Sequence, residues 1–381
     1  MMNASIEPFE LSIAEADLND LRQRLRHTRW PERETVTDGG QGLPLAAAQA
    51  LCEYWLHHYD WRRCEHMLNG FGQFQTVIDS LKIHFLHVRS PEPDALPLIM
   101  THGWPGSVVE FLKVIGPLTN PRAHGGDPAD AFHIVAPSLP GYGFSGRPDQ
   151  PGWTIGRTAD AWIELMRRLG YRRFGAQGGD WGAAVTTLIA DRQPPELCAI
   201  HLNAVSVHPR PDELNALNEK EQRAVDDFAD YLVNGSGYAA IQSTRPQTLG
   251  YGLTDSPAGQ AAWIFEKFID YTDCGGDPLS LFSYDELLDN IMLYWLPATA
   301  TSSARLYWES LASFIDDAPI TVPTGCSIFP KELVRPSRHW AERKYTDIIH
   351  WNELDRGGHF AAFEQPALFV QELRNCFRLV R

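Results

Sequence analysis

The chain is poor in lysine. Of its 33 basic residues only six are Lys (Lys82, Lys113, Lys220, Lys267, Lys331 and Lys344). No long basic run occurs, and the formal net charge is −15. Binding a phosphate backbone needs clustered Lys and Arg, so nucleic acid and an anionic membrane surface are disfavoured as partners. The Arg bias suggests a GC-rich coding genome and says nothing about chemistry. Cysteine pairs are missing too. Cys52, Cys64, Cys198, Cys274, Cys326 and Cys376 are scattered without a CxxC. This argues against structural zinc and a disulfide framework, and for free thiols in a reducing cytoplasm. No apolar run reaches the roughly 20 residues of a membrane helix. Met1 to Glu10 is neither basic nor followed by an apolar core, so no signal peptide is expected. His57, His58 and His66 lie near Asp60 and Cys64, yet without convincing metal spacing. They are expected at the surface or in packing. There is no internal repeat and no low-complexity tract.

What is present is ordinary for a soluble globular protein: 44% hydrophobic and 21% charged residues. At 381 residues the chain exceeds a typical domain, which implies one large core with an insertion or extension.

Residues 11–30 read as an amphipathic helix ended by Pro31, and 46–59 as a second helical stretch. Thr76 to Val88 reads as a hairpin turning at Asp79-Ser80. Apolar strands then alternate with helices. Strands are expected at Leu96–Thr101, Phe132–Ala136 and Arg173–Gln177, and helices at Ala159–Leu169 and Ala183–Ala190. Such alternation predicts an α/β fold with a mostly parallel sheet and helices on both faces. Ligands bind such sheets at the carboxyl ends of the strands, where three Gly/Pro loops fall. From about Pro211 to Ile315 the pattern is helical and aromatic-rich. The sheet pattern resumes at Ile320-Thr321-Val322 and ends with a strand at Ile348–Leu354. The expected division is 1–95 as an N-terminal extension, 96–210 and 316–381 as the two parts of the core, and 211–315 as a helical lid.

The loop after the third of those strands is Gly178-Gly179-Asp180-Trp181-Gly182. It has the Gly-x-nucleophile-x-Gly form of a nucleophile elbow in strand–turn–helix context, with Asp where Ser is usual. A Ser attacking saturated carbon would leave an inert ether. A carboxylate leaves an ester that water can open. Asp180 thus points to displacement at carbon through a covalent ester. The plainer alternative is an Asp capping the following helix.

Arg356-Gly357-Gly358-His359-Phe360 follows the last strand. His359 is placed to reach the elbow, and the order nucleophile, acid, His suits a triad. Beside an Asp already ionised, the His would take a proton from the water that attacks the ester. The acid that orients the imidazole could be Asp316, Asp317, Glu332, Asp347, Glu353 or Asp355. Glu332 is attractive because Phe329-Pro330-Lys331-Glu332 follows the apolar Ile320–Ile328 segment. In the His102-Gly103-Trp104-Pro105 loop, the Trp104 backbone N–H could join that of Trp181 as an oxyanion hole. His102 itself reads as structural, and Trp104-Pro105 is a candidate cis peptide.

Taken together, His102-Gly103-Trp104-Pro105, Gly179-Asp180-Trp181-Gly182 and Gly357-Gly358-His359-Phe360-Ala361-Ala362-Phe363-Glu364 resemble the epoxide hydrolases of the microsomal type over nearly the whole chain. The resemblance implies an α/β-hydrolase core with a helical cap, and neither a metal nor an organic cofactor. It implies Glu332 as the acid, through the Phe329 to Leu333 match. It further implies Tyr238 and Tyr307 as cap residues that bind the epoxide oxygen. As the carbon–oxygen bond breaks, charge grows on a poor leaving group, and phenolic donors stabilise it. Without the resemblance either Tyr could be lid packing, among Tyr231, Tyr251, Tyr271, Tyr284 and Tyr294. Membrane-bound members carry an N-terminal anchor; none is visible here, so a soluble bacterial member is expected.

The leading expectation is hydrolysis of an apolar or aryl epoxide to a vicinal diol, with water as co-substrate. The alternative is a haloalkane dehalogenase, which shares the Asp, the His and the Trp after the Asp, but needs halide-binding N–H donors rather than phenols. A non-enzymatic binding protein on the same fold would normally carry a damaged triad. Substrate, stereochemistry and a role in detoxification or secondary metabolism are not legible, and a homodimer is neither required nor excluded.

Overall fold

The computed structural model describes residues 5–311 and 318–381. Its frame is a nine-stranded sheet. The strands are β1 (Glu7–Pro8), β2 (Gln73–Ile78), β3 (Leu81–Val88), β4 (Leu96–Thr101), β5 (Phe132–Pro137), β6 (Phe174–Gly178), β7 (Leu197–Leu202), β8 (Thr324–Ile328) and β9 (Ile348–Glu353). They lie in the order β1-β2-β3-β5-β4-β6-β7-β8-β9. Pairing is antiparallel from β1 through β3 to β5, and parallel from β5 onward. Strands β4 and β5 are buried on both faces, which is why they read as largely apolar runs. Helices Leu112–Thr119 and Pro366–Phe377 pack together against the sheet, as do Ile155–Arg168 and Asp180–Asp191.

The β2–β3 hairpin turns on Asp79 and Ser80, both at positive φ, the backbone that a two-residue turn needs to match strand twist. The first helix is shorter than expected, Glu15–Arg26. The backbone N–H groups of Leu11 and Ile13 donate to the side chains of Asn69 and Glu65 on another helix instead of within a helix of their own. Pro31 bars helical backbone at the residue before it. The resumed sheet also begins later than expected. Ile320 makes an isolated bridge to Tyr345, and the strand proper starts at Thr324. Strand β7 and helix Trp61–Asn69 are among the elements that had no counterpart in the sequence reading. Strand β7 holds a buried His201 that bonds to Ser327, so it lacks an unbroken apolar signature. Helix Trp61–Asn69, capped by Asp60, turns Cys64 into the core and leaves His66 outside, like His57 and His58.

Between β7 and β8 the described residues form helices and no strand. The N-terminal helices grip this insertion. Tyr54 and Tyr59 donate to Asp285 and Asp289 at 3.2 and 2.8 Å, and the Arg63 guanidinium donates to both oxygens of Asp289 at 2.7 Å. Asp289 is buried, so that pairing offsets the desolvation of its charge.

Sheet register sets the position of the site. Thr101 at the end of β4 lies opposite Gly178 at the end of β6. Residues 102–106 and 179–182 therefore leave the sheet side by side. Ile328 of β8 lies opposite Glu353 of β9, and Lys331 bridges Gly358 beyond them. That brings the Glu332 loop against the His359 loop.

Candidate active site

Asp180 stands at φ +49°, a left-handed conformation that costs a non-glycine residue about 1 kcal/mol or more. Its neighbours must be small. A Cβ on Gly178 would meet the Gly182 carbonyl at 2.0 Å, and one on Gly182 would meet the Thr101 carbonyl at 1.9 Å. A Cβ on Gly103 would come within 2.0 Å of Asp180 Oδ1. This last glycine lets the β4 loop close on the carboxylate. The Trp104 backbone N–H donates to Asp180 Oδ1 at 2.7 Å, and the Trp104-Pro105 peptide is cis. Trp181 follows Asp180, its indole buried edge-on against Tyr307 at 4.8 Å.

His359 and Glu332 complete a line of contacts. His359 Nε2 lies 3.5 Å from Asp180 Oδ2, and Nδ1 lies 2.8 Å from Glu332 Oε1. Glu332 Oε1 also accepts the Leu333 N–H at 2.7 Å, which fixes the carboxylate. Both side chains are buried. Burial opposes the imidazolium, but the charges and hydrogen bonds of Glu332 and Asp180 outweigh it and hold the His359 pKa well above its ordinary value. Asp347, Glu353 and Asp355 are exposed, Glu353 is paired with Lys220, and Asp316 and Asp317 fall outside the described residues.

Tyr238 and Tyr307 come from two helices of the insertion, Gly237–Thr244 and Ala300–Ser310. Their rings lie 5.9 Å apart. Trp104 stacks on Tyr238 at 4.8 Å and meets Tyr307 edge-on at 6.0 Å. Burial first, then nearby phenols and Asp180, push both phenol pKa values far above 10, so each keeps its proton to donate. His102 has a different part. Its Nε2 accepts the Leu139 N–H, which leaves the proton on Nδ1 to donate to the Gly103 carbonyl. Burial holds its pKa down to about 4, and the neutral ring braces the loop.

Two cavities meet at Asp180. The larger, about 240 Å³, runs between the insertion and the sheet and is lined mainly by apolar and aromatic groups, including Trp181, Tyr238, Tyr307 and Leu333. The smaller, about 10 Å³, lies behind Asp180 and His359 and is lined by Glu110 and Phe360. It has room for about one water. Two residues here were missed from sequence. Burial pushes the Glu110 carboxyl up to about 8, so it stays protonated at neutral pH. Its only sequence signal is the capping pattern Ser107-Val108-Val109-Glu110. The Tyr231 hydroxyl lies 3.3 Å from that of Tyr238. Nothing in the pattern separated it from the other lid aromatics. Among the described residues no group of three or more His, Cys, Asp or Glu could hold a metal ion.

An α/β sheet with a carboxylate at its elbow, a His–Glu pair behind it and two phenols above it defines a hydrolase of the α/β-hydrolase fold. Comparison with known proteins gives the family. "Epoxide hydrolase N terminus" matches residues 6–111, and "alpha/beta hydrolase fold" matches 97–237. A protein of Stigmatella aurantiaca, provisionally named an epoxide hydrolase, is 57% identical over 99% of this chain and 86% of its own. Epoxide hydrolase 1 of Sus scrofa is 36% identical over 99% of this chain and 89% of its own. The solved epoxide hydrolase of Aspergillus niger superposes with a TM-score of 0.89 at 32% identity, covering 100% of this chain and 98% of that one. This chain therefore belongs to the epoxide hydrolases, in the microsomal-type family that its motifs resemble. No helix among the described residues is long and apolar enough to cross a membrane.

Proposed function

We propose that this epoxide hydrolase forms a vicinal diol in two steps, through an alkyl ester on Asp180. Asp180 Oδ2 attacks an epoxide carbon in the larger cavity. Tyr238 and Tyr307 hydrogen-bond the departing oxygen, and one supplies its proton. Water in the smaller cavity then attacks the ester carbonyl and gives a proton to His359, which Glu332 orients. The Trp104 and Trp181 N–H groups stabilise the resulting oxyanion. The acyl carbon–oxygen bond to the substrate then breaks. The departing alkoxide takes the proton of the newly added hydroxyl to complete the diol, and the Asp180 carboxylate is restored. The tyrosinate left by ring opening regains its proton from the His359 imidazolium once Asp180 is alkylated. The insertion, 211–315, acts as the cap that carries the phenols, and the two core parts carry the other groups.

The observation that carries this reading is the meeting of the Glu332–His359–Asp180 line with two neutral phenols across one apolar cavity. Its electrostatics suit the order of events. The Asp180 charge and hydrogen bond help keep His359 protonated before attack. Alkylation neutralises Asp180 and removes both. The imidazole pKa then falls at the stage when a neutral base is needed. The neutral Glu110 faces the water site without adding a competing negative charge.

The apolar lining supports a bulky apolar or aryl epoxide, bound by exclusion of water. Six free cysteines support a reducing, cytoplasmic setting. The phenols weigh against haloalkane dehalogenation, since a departing halide needs no proton. The test uses styrene oxide. Asp180→Ala should abolish diol formation, and His359→Gln should accumulate an intact-mass adduct of one substrate. No adduct in His359→Gln under single turnover would refute the ester.

A further inference from the structure

The His359 loop is held by a segment of the helical insertion. Helix Pro257–Asp270 runs directly into Tyr271-Thr272-Asp273. The Tyr271 carbonyl accepts the His359 backbone N–H at 2.9 Å. Asp273 Oδ2 accepts the Gly357 N–H at 3.0 Å. The Asp273 N–H donates to Glu364 Oε2 at 3.0 Å, tying the segment to the far side of the same loop. The fit between them is tight. A Cβ on Gly358 would come within 2.5 Å of the Tyr271 carbonyl, and Gly357 sits at φ +97°. Apolar contacts reinforce the polar ones. Phe268 of the helix stacks on Phe360 with ring centres 4.3 Å apart, and the Tyr271 ring meets the His359 ring edge-on at 6.0 Å.

The same segment reaches the phenols. The Tyr271 hydroxyl donates to the Gly235 carbonyl, just before the helix that carries Tyr238. The base and the oxygen donor thus hang on one stretch of backbone.

We propose that Asp273, anchored by Glu364, is a positioning residue for His359, so that the insertion sets the base for the hydrolytic half-reaction as well as roofing the pocket. The inference rests on the two-step ester reading above. Asp273 does not touch substrate. It fixes the peptide two residues before His359, and so the distance from Nε2 to the water site. The imidazole exchanges no proton while Asp180 attacks, so the first half-reaction should feel the change far less than the second. A merely structural clip would slow both halves or neither.

The test separates the halves by rapid quench with styrene oxide, following ester formation and decay by intact mass on folded protein. In Asp273→Ala the ester should form within about threefold of the wild-type rate and decay about tenfold more slowly, the effect of losing one hydrogen bond to a charged group. Asp273→Asn retains an acceptor at Oδ1 and should recover most of the decay rate. It also serves as the test variant, against wild type, if Asp273→Ala does not fold: a decay slowed by a few fold with formation unchanged is then expected. His359→Gln runs alongside. If it traps no ester, the two-step reading fails. If it traps ester while decay in the Asp273 variants is unchanged, or slowed no more than formation, the positioning role is overturned.

Discussion

Replacing Glu332 by Gln isolates one charge. Glu332 Oε1 accepts both His359 Nδ1–H and the Leu333 N–H, and Oε2 has no hydrogen-bond partner. A Gln amide oxygen at the Oε1 position can accept the same two donors, and its NH2 group falls where no acceptor is lost. Size and geometry persist while the negative charge goes. A buried hydrogen bond to a charged group contributes about 1.5–3 kcal/mol. The imidazolium that forms as His359 takes the proton from water should lose about that much, and at about 1.4 kcal/mol per decade ester hydrolysis should slow by roughly 10–150-fold. In the two-step reaction proposed, ring opening uses Asp180 and the phenols, and its rate should hold within about threefold of wild type. Rapid-quench single turnover with intact-mass detection reads both. Ester should build to nearly one per enzyme, and the steady-state rate should equal its slow decay. Equal loss in both steps would show that Glu332 supports the fold of the site rather than the imidazolium. No loss in either would return the acid role to another carboxylate.

The phenols give the complementary result. Tyr238→Phe and Tyr307→Phe keep the rings packed on Trp104 and Trp181. Each should slow ester formation by about 10²-fold, the usual loss for one buried oxyanion donor, and leave decay of preformed ester unchanged; unaltered formation in both would remove them from the reaction. Glu110 offers a pH test of stability. An unfolded carboxyl gives up its proton near the ordinary 4.5, whereas burial keeps Glu110 protonated to about 8. The folded state therefore holds an extra proton across that window, and this group's contribution to stability falls as pH rises through it. Glu110→Gln has no proton to lose, so its melting temperature relative to wild type should climb between about pH 5 and 8. Parallel curves would contradict the buried, protonated carboxyl.

Much of the fold was legible because its cues are local. Buried parallel strands favour long apolar runs, so β4 and β5 stood out, and β6 was marked by the elbow that follows it. Tight backbone approach demands glycine, so the elbow and the His102 loop stood out as well. Strand β7 was missed because a buried polar pair, His201 with Ser327, breaks its pattern, and its partner lies on another strand. The first helix was drawn too long because Leu11 and Ile13 have suitable spacing but bond to a helix some fifty residues away.

At the site the division follows the same line. Asp180 and His359 were readable, since a nucleophile elbow and a Gly-rich loop each declare themselves within five residues. Glu332 was one of six carboxylates and was favoured only weakly by its place after an apolar segment; the resemblance strengthened it, and the β8–β9 register brings it to His359 while its rivals remain at the surface or outside the described residues. Tyr238 and Tyr307 were equal by pattern to the other lid aromatics. Glu110, Tyr231 and Asp273 left no usable trace.

The amino-acid sequence by itself determined the strand–helix alternation and the strained, glycine-flanked turn that presents a carboxylate. The tertiary structure decided which of several identical acids and phenols lie beside it. Backbone turns and periodicity depend on neighbours a few residues apart, whereas a 2.8 Å contact between side chains from separate loops depends on sheet register and helix packing summed over the whole chain.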